Sequence, residues 1–170
     1  MPLLEIADLK VGFETEAGFL HAVDGVSLDI SEGKTLGLVG ESGCGKSVTA
    51  SAILRLVPDP PGKILGGSIC FAGQDILTMP RWDLPKIRGN DVAMIFQDPM
   101  TSLNPVLTVE KQLGEILRLR FGMDRKAARQ RAVEMLETVG IPDPVDRLIS
   151  YPHELSGGMK QRVMIAMALL

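Results

Sequence analysis

The stretch "GESGCGKS", Gly40 to Ser47, constrains this chain more than any other. It fits the pattern G-x-x-x-x-G-K-[ST] at every fixed position. Gly40, Gly43 and Gly45 let backbone N–H groups turn inward and approach an anion with no Cβ in the way. The apolar run "TLGLVG" precedes the loop and reads as a short buried strand, and a helix is expected from Lys46 to Val57. That helix points its positive end at the loop. Lys46 is expected to reach the β- and γ-phosphates of a nucleoside triphosphate, and the Ser47 hydroxyl to ligate Mg²⁺. Cys44 stands inside the loop. A thiol beside several oriented N–H groups is an expected site of alkylation that ATP blocks; the plainer alternative is a small residue tolerated there.

The rest of the chain supplies the setting. Residues 3 to 11 and 20 to 30 read as strands, the second alternating over Val26, Leu28 and Ile30. Pro58, Pro60 and Pro61 stop the loop helix, "GGSICFAGQDI" reads as strand at a pair edge, and "DVAMIFQ" as another buried strand. Beyond it the pattern is helical. Thr108 is placed to cap a helix carrying Val109, Leu113, Ile116 and Leu117, closed near Gly122. Asp124 is placed to cap a second, with Ala128, Ala132, Met135, Leu136 and Val139 on one face and Gly140 and Pro142 at its end. Ser156 is an N-cap for a third. This predicts an α/β core with a helical insertion beginning near Gln97 and no internal repeat.

The buried strand ends in two polar residues, Gln97 and Asp98. Asp98 could hold Mg²⁺ through water, but Pro99 follows it and a turn explains it better. Gln97 is the stronger site residue, because an amide oxygen can touch Mg²⁺ while its NH₂ orients a water.

Composition removes several classes. With 170 residues, a net charge of −3 and a pI near 5.4, nothing favours nucleic-acid binding. Cys44 and Cys70 form no paired motif, which reads as a reducing, intracellular compartment. The start "MPLLEIADLK" does not read as a signal peptide, and no apolar run approaches the roughly 20 residues of a membrane helix. Any membrane association is expected to come through a partner.

Taken together, "GESGCGKS", "FQDP" with Gln97, and "LSGGMKQR" from Leu155 to Arg162 resemble the ATP-binding subunit of an ABC transporter. The resemblance runs along essentially the whole chain. It implies a P-loop NTPase core of ABC ATPase type with N-terminal antiparallel strands and a helical subdomain, the C-terminal part of the core missing. It divides the chain into a β-rich P-loop core (1–96), a Q-loop and helical subdomain (97–154), and the signature motif with the start of its helix (155–170). ATP and Mg²⁺ are the implied cofactors.

By the same resemblance, Gly40, Glu41, Ser42, Gly43, Cys44, Gly45, Lys46, Ser47 and Val48 hold the nucleotide. Phe13 falls where an aromatic stacks on the adenine, and Ser47 and Gln97 serve the metal. Ser156, Gly157, Gly158 and Gln161 belong to the signature, which caps the γ-phosphate held by a second ATPase subunit paired head to tail. The helices from Thr108 to Val139 would dock on two membrane permease subunits, with Gln97 as hinge. An extracytoplasmic solute-binding protein would act indirectly, and the subunit would sit peripherally on the cytoplasmic face of the inner membrane.

"MIFQDPMTSLNPVLTV" and "YPHELSGGMKQRVMIAMALL" resemble the oligopeptide and dipeptide importers, in their D-type subunit. Nickel and other small-solute importers share nearly the same wording, so the solute stays open. The family's Asp-Glu strand end, which supplies a Mg²⁺ ligand and a general base, and its γ-phosphate histidine lie beyond the signature helix. His21 and His153 read as surface or packing residues. The chain therefore reads as the N-terminal part of a longer protein. Without the base, assistance of the order of 10²–10⁴-fold is lost and ATP should be hydrolysed poorly. A nucleotide-binding module without turnover is thus the second reading, and a DNA-acting ABC-type ATPase a third, disfavoured by charge. An exposed sheet edge and poor solubility are also expected.

Overall fold

The computed structural model describes residues 2–98 and 102–170. Pro99 of the "FQDP" stretch lies outside the described residues. The chain forms two compact units, Met1–Arg88 and Gly89–Leu170.

The first unit is built on a four-stranded antiparallel sheet. Strands β1 (Leu4–Thr15), β2 (Gly18–Ile30), β3 (Gly62–Phe71) and β4 (Gln74–Asp75) lie in the order β2-β1-β3-β4. Apolar residues of β1 and its neighbours close the core: Ile6, Leu9, Val11, Val23 and Ile69 are buried. Between β3 and β4 the chain turns at Ala72 and Gly73, both with positive φ (47° and 80°), the geometry of a primed hairpin turn.

Helix α1 (Lys46–Ile53) buries Thr49 and Ala52. It ends short of Val57, the end expected from sequence, because Arg55 takes a left-handed conformation (φ 50°) and a distant residue seals the helix. Arg88 donates from Nε to the Leu54 carbonyl (2.8 Å) and from Nη2 to the Arg55 carbonyl (2.9 Å). A cation on the last carbonyls of a helix also favours its negative end. A short helix α2 (Leu84–Ile87) brings Arg88 there.

Two expected strands are not formed. Residues 35–40, "TLGLVG", carry no strand pairing, and Leu36, Leu38 and Val39 are exposed. "DVAMIFQ" has only an isolated bridge residue at Val92, and Ile95 and Phe96 are exposed. A buried strand needs neighbours to take up its N–H and C=O groups. Among the described residues, no segment pairs with either run along its length.

The second unit is helical. Helices α3 (Val109–Phe121), α4 (Arg125–Thr138), α5 (Pro144–Leu148) and α6 (Gly157–Leu169) surround one core. Val109, Leu113, Leu117, Ala128, Ala132, Leu136, Leu148, Val163 and Ala166 are buried there. The expected caps form: Thr108 Oγ1 accepts from the Lys111 N–H at 3.4 Å and Asp124 Oδ1 from the Ala127 N–H at 2.8 Å. Gly122 ends α3 in a left-handed conformation (φ 62°), as the sequence suggests. Gln112, buried on α3, holds the preceding loop: its Oε1 accepts from the Asn104 N–H (2.9 Å) and its Nε2 donates to the Leu107 carbonyl (2.9 Å).

Candidate nucleotide site

The loop from Gly40 to Ser47 folds around its lysine. Lys46 Nζ donates to the carbonyls of Gly40 (2.8 Å) and Glu41 (2.5 Å) and lies 3.5 Å from Cys44 Sγ. The ammonium is thus held over the loop rather than extended into solvent.

Glycine is required at two of the loop positions. Gly43 and Gly45 have φ of 83° and 91°, the region that side chains rarely adopt. A Cβ at Gly45 would also press on the Ala22 carbonyl and stand 3.3 Å from Val23 Cγ2. At Gly40 a Cβ would fall 2.5 Å from Cys44 Sγ.

Gly45 is the N-cap of α1 and, having no side chain, gives no capping hydrogen bond. The first-turn N–H groups of α1 therefore have no side-chain acceptor of their own, and no acidic residue stands in that turn. This is the arrangement in which a helix start receives an anion. Thr49 is turned inward, its hydroxyl donating to the Gly45 carbonyl at 3.0 Å. Ser47, exposed in the first turn, and Val48, half-buried, follow Lys46 at the head of the helix; Glu41, Ser42 and Cys44 are exposed in the loop.

The sheet positions Phe13 relative to this loop. On β1, Val11 pairs with Val23 of β2, and Phe13 pairs with Leu20. Directly paired residues share a face of a sheet, as do residues two apart on one strand. Val11, Val23, Phe13 and Leu20 therefore lie on one face. The pairing shifts between Val11 and Gly12, which leaves Ala22 as the extra residue on β2. Gly45 packs against Ala22 and Val23, so the phosphate loop abuts the face that carries Phe13. Phe13 lies about 7 Å further along the strand than Val11. Its ring is half-buried.

In the second unit, Ser156 caps α6, its Oγ accepting from the Met159 N–H at 3.3 Å. Gly157 and Gly158 are exposed in the first turn, with open space where a Cβ would stand, and Gln161 is exposed one turn on. Gln97 is exposed in the segment before Asp98. His21 packs edge-on against Phe19 (centroids 5.3 Å apart), and His153 stacks on Tyr151 (5.7 Å).

Sequence reasoning missed Ala22, Val23 and Arg162. The first two support the loop from another element. Arg162 Nη1 donates to the Gly140 carbonyl at 2.5 Å and ties α6 to the end of α4. The signal in the first case was the Ala-Val pair inside a strand, which carries no local mark of a contact made 23 residues later.

A P-loop at a helix start beside an antiparallel sheet, with a capped "SGG" helix in a helical unit, defines an ATP-binding cassette. The chain belongs to the ABC transporter family, whose model matches residues 23–170. Among its relatives, the Bacillus subtilis oligopeptide transport ATP-binding protein OppD is 50% identical over 167 residues, covering 98% of this chain and 47% of that protein. The dipeptide transport ATP-binding protein DppD of the same organism is 51% identical, covering 99% and 50%. A peptidoglycan transport ATP-binding protein, YejF of Agrobacterium fabrum, is 55% identical, covering 99% and 31%. The chain thus spans half or less of the length of these relatives. Among solved structures, the ATP-binding cassette MJ0796, in a dimeric post-hydrolysis state bound to ADP and Pi, superposes with a TM-score of 0.84 at 27% identity. That match covers 98% of this chain and 68% of the other.

Proposed function

We propose that this chain carries the nucleotide site of a subunit that binds and hydrolyses ATP to drive peptide uptake through an ABC transporter. The observation that carries the reading is the loop itself. Two left-handed glycines, an uncapped helix start and Lys46 held over the Gly40 and Glu41 carbonyls form a cradle for a polyphosphate. The solute class rests on the relatives, named for oligopeptide, dipeptide and peptidoglycan transport. Peptides, including those joined to peptidoglycan fragments, are the shared chemistry.

The cradle suits a Mg²⁺-bound triphosphate, since the positive-φ glycines Gly43 and Gly45 lead into a helix start whose N–H groups have no side-chain cap. Ser47, at the head of α1, would hold the metal. Bound there, Mg²⁺ would neutralise charge on the phosphate oxygens. Lys46 neutralises the same oxygens from the protein side, and Phe13 stacks on the adenine. Ser156, Gly157, Gly158 and Gln161 offer a second helix start, suited to the γ-phosphate held by another ATPase subunit.

In this reading residues 97–154 are the Q-loop and helical subdomain that meets two permease subunits, and residues 155–170 begin the signature helix. Among the described residues no helix is long and apolar enough to cross a membrane. Attachment to the cytoplasmic face of the membrane would then be peripheral, through the permeases, and an extracytoplasmic binding protein would deliver the solute.

The test is calorimetric titration of Mg-ATP into the protein and its Lys46→Ala variant, followed by ATP turnover and peptide uptake in cells carrying the full-length gene. Lys46→Ala should abolish uptake. Uptake that survives it would overturn the transport reading, and unchanged ATP affinity would overturn the loop assignment.

A further inference from the structure

The sheet face that carries Phe13 offers a nucleotide more than that ring alone. Phe13 is the middle member of a rung across three strands, paired with Leu20 on β2 and with Gly62 on β3. Leu20 is 57% exposed although it is apolar and shares the face that the phosphate loop abuts. Gly62 is buried.

Gly62 has an ordinary backbone conformation, so turn geometry does not explain the missing side chain. Space does. A Cβ there would stand 2.6 Å from Phe13 Cε1, 2.8 Å from the Pro58 carbonyl oxygen and 2.8 Å from Val57 Cγ1. The Phe13 ring therefore lies directly over the Gly62 Cα. The surrounding backbone is pinned, with Gly62 N–H donating to the Pro58 carbonyl (2.7 Å) and Glu14 N–H to the Pro61 carbonyl (2.8 Å). A side chain at 62 would have to displace the ring, because the carbonyl and the proline loop are tied in place.

We propose that the rung Leu20–Phe13–Gly62 is the base-recognition floor of the nucleotide site. In it, Gly62 is a positioning residue that sets the Phe13 ring, and Leu20 supplies a further apolar contact to the purine. The occupant is the base of the nucleotide whose phosphates the Gly40–Ser47 loop holds. The spacing supports this, for Phe13 stands about 7 Å along the strand from the point where the loop packs. The inference rests on the reading of Phe13 as an adenine platform and adds what fixes and completes it.

The experiment compares affinities for Mg-ATP and for inorganic triphosphate by calorimetry, in the full-length protein and its variants. Inorganic triphosphate reports on the phosphate loop alone. Phe13→Ala should weaken ATP binding about tenfold, the usual scale for removing one base-stacking ring. Gly62→Ala should weaken ATP binding by about three- to tenfold. Both should leave triphosphate affinity within about twofold, because neither touches the loop's donors. The double variant should bind ATP no more weakly than Phe13→Ala alone.

If Phe13→Ala lowers ATP affinity and Gly62→Ala does not, the positioning role of Gly62 is overturned while the adenine reading stands. If Phe13→Ala leaves ATP affinity unchanged, the adenine reading falls and the rung with it. Equal losses for ATP and triphosphate in Gly62→Ala would show a general distortion and overturn the inference. Should Gly62→Ala fail to fold, Leu20→Ser at the exposed position decides: an ATP-specific loss of about threefold supports the floor, and no loss overturns it.

Discussion

The two units of this chain reach order by different routes. In residues 89–170 the apolar positions of α3, α4, α5 and α6 meet one another, and Val109, Leu113, Leu136, Leu148 and Ala132 are fully covered. In residues up to 88, the antiparallel sheet closes its own core, but the run leading to the phosphate loop does not. Val39, immediately before Gly40, is 93% exposed, while Leu136 in the other unit is 0% exposed. The run before Gly40 is almost wholly apolar, whereas Leu136 stands on the apolar face of a helix rich in charged residues. A helix satisfies its own backbone and needs only a face to pack on, whereas a strand needs partners for its main chain as well. The more apolar of the two segments is therefore the less covered.

Hydrogen exchange on the 170-residue chain gives the largest expected contrast. Amides of 113–117 should exchange on the order of 10³-fold more slowly than those of 36–39. Protection of the second group would mean that the run is paired, and the contrast would be gone.

Cavity formation should follow the same division. Leu136→Ala should cost about 2–5 kcal/mol in denaturant unfolding, since the side chain is wholly enclosed. Val39→Ala should stay within about 0.5 kcal/mol. Comparable losses at both sites would contradict the difference in burial.

Function should divide the other way. Lys46→Ala sits in the less covered unit, yet it should lower triphosphate affinity roughly ten- to a hundredfold, from charge-assisted hydrogen bonds of about 1.5–3 kcal/mol each. Stability should change little, because the lysine's partners are exposed loop carbonyls. A large drop in stability with intact affinity would reverse its role.

A smaller effect is expected at the α4 cap. Asp124→Ala removes the acceptor for the Ala127 N–H and should cost about 1 kcal/mol. An unchanged unfolding midpoint would mean that the first turn of α4 is frayed in solution.

The smallest perturbation is chemical. Cys44 is exposed in the loop, and its Sγ lies 3.5 Å from Lys46 Nζ. Alkylation at Cys44 should be slowed by ATP, while labelling of the half-buried Cys70 on β3 should not respond. Identical rates at Cys44 with and without ATP, read by mass spectrometry, would separate the thiol from the nucleotide site.

Much was legible in advance because it was local. Thr108, Asp124 and Ser156 were readable as caps, since each accepts from an N–H three residues on. Gly43 and Gly45 were readable as turn glycines because the loop pattern demands backbone freedom there. The end of α1 was misplaced, since Arg88 seals it from 33 residues away. The burial of Gln112 was equally hidden: an amphipathic pattern marks it as surface, and only the loop folded over it gives its amide three partners.

By itself the sequence determined the glycine pattern of the phosphate loop, the caps and the three helices they start, because sterics and hydrogen bonds spanning a few residues decide those. The tertiary structure decided which apolar runs find partners, that Gly45 packs on Ala22 and Val23, and that Gly62 leaves room for the Phe13 ring. Those contacts join residues 22 to 49 positions apart, and no local preference in the chain encodes a close approach made across three strands.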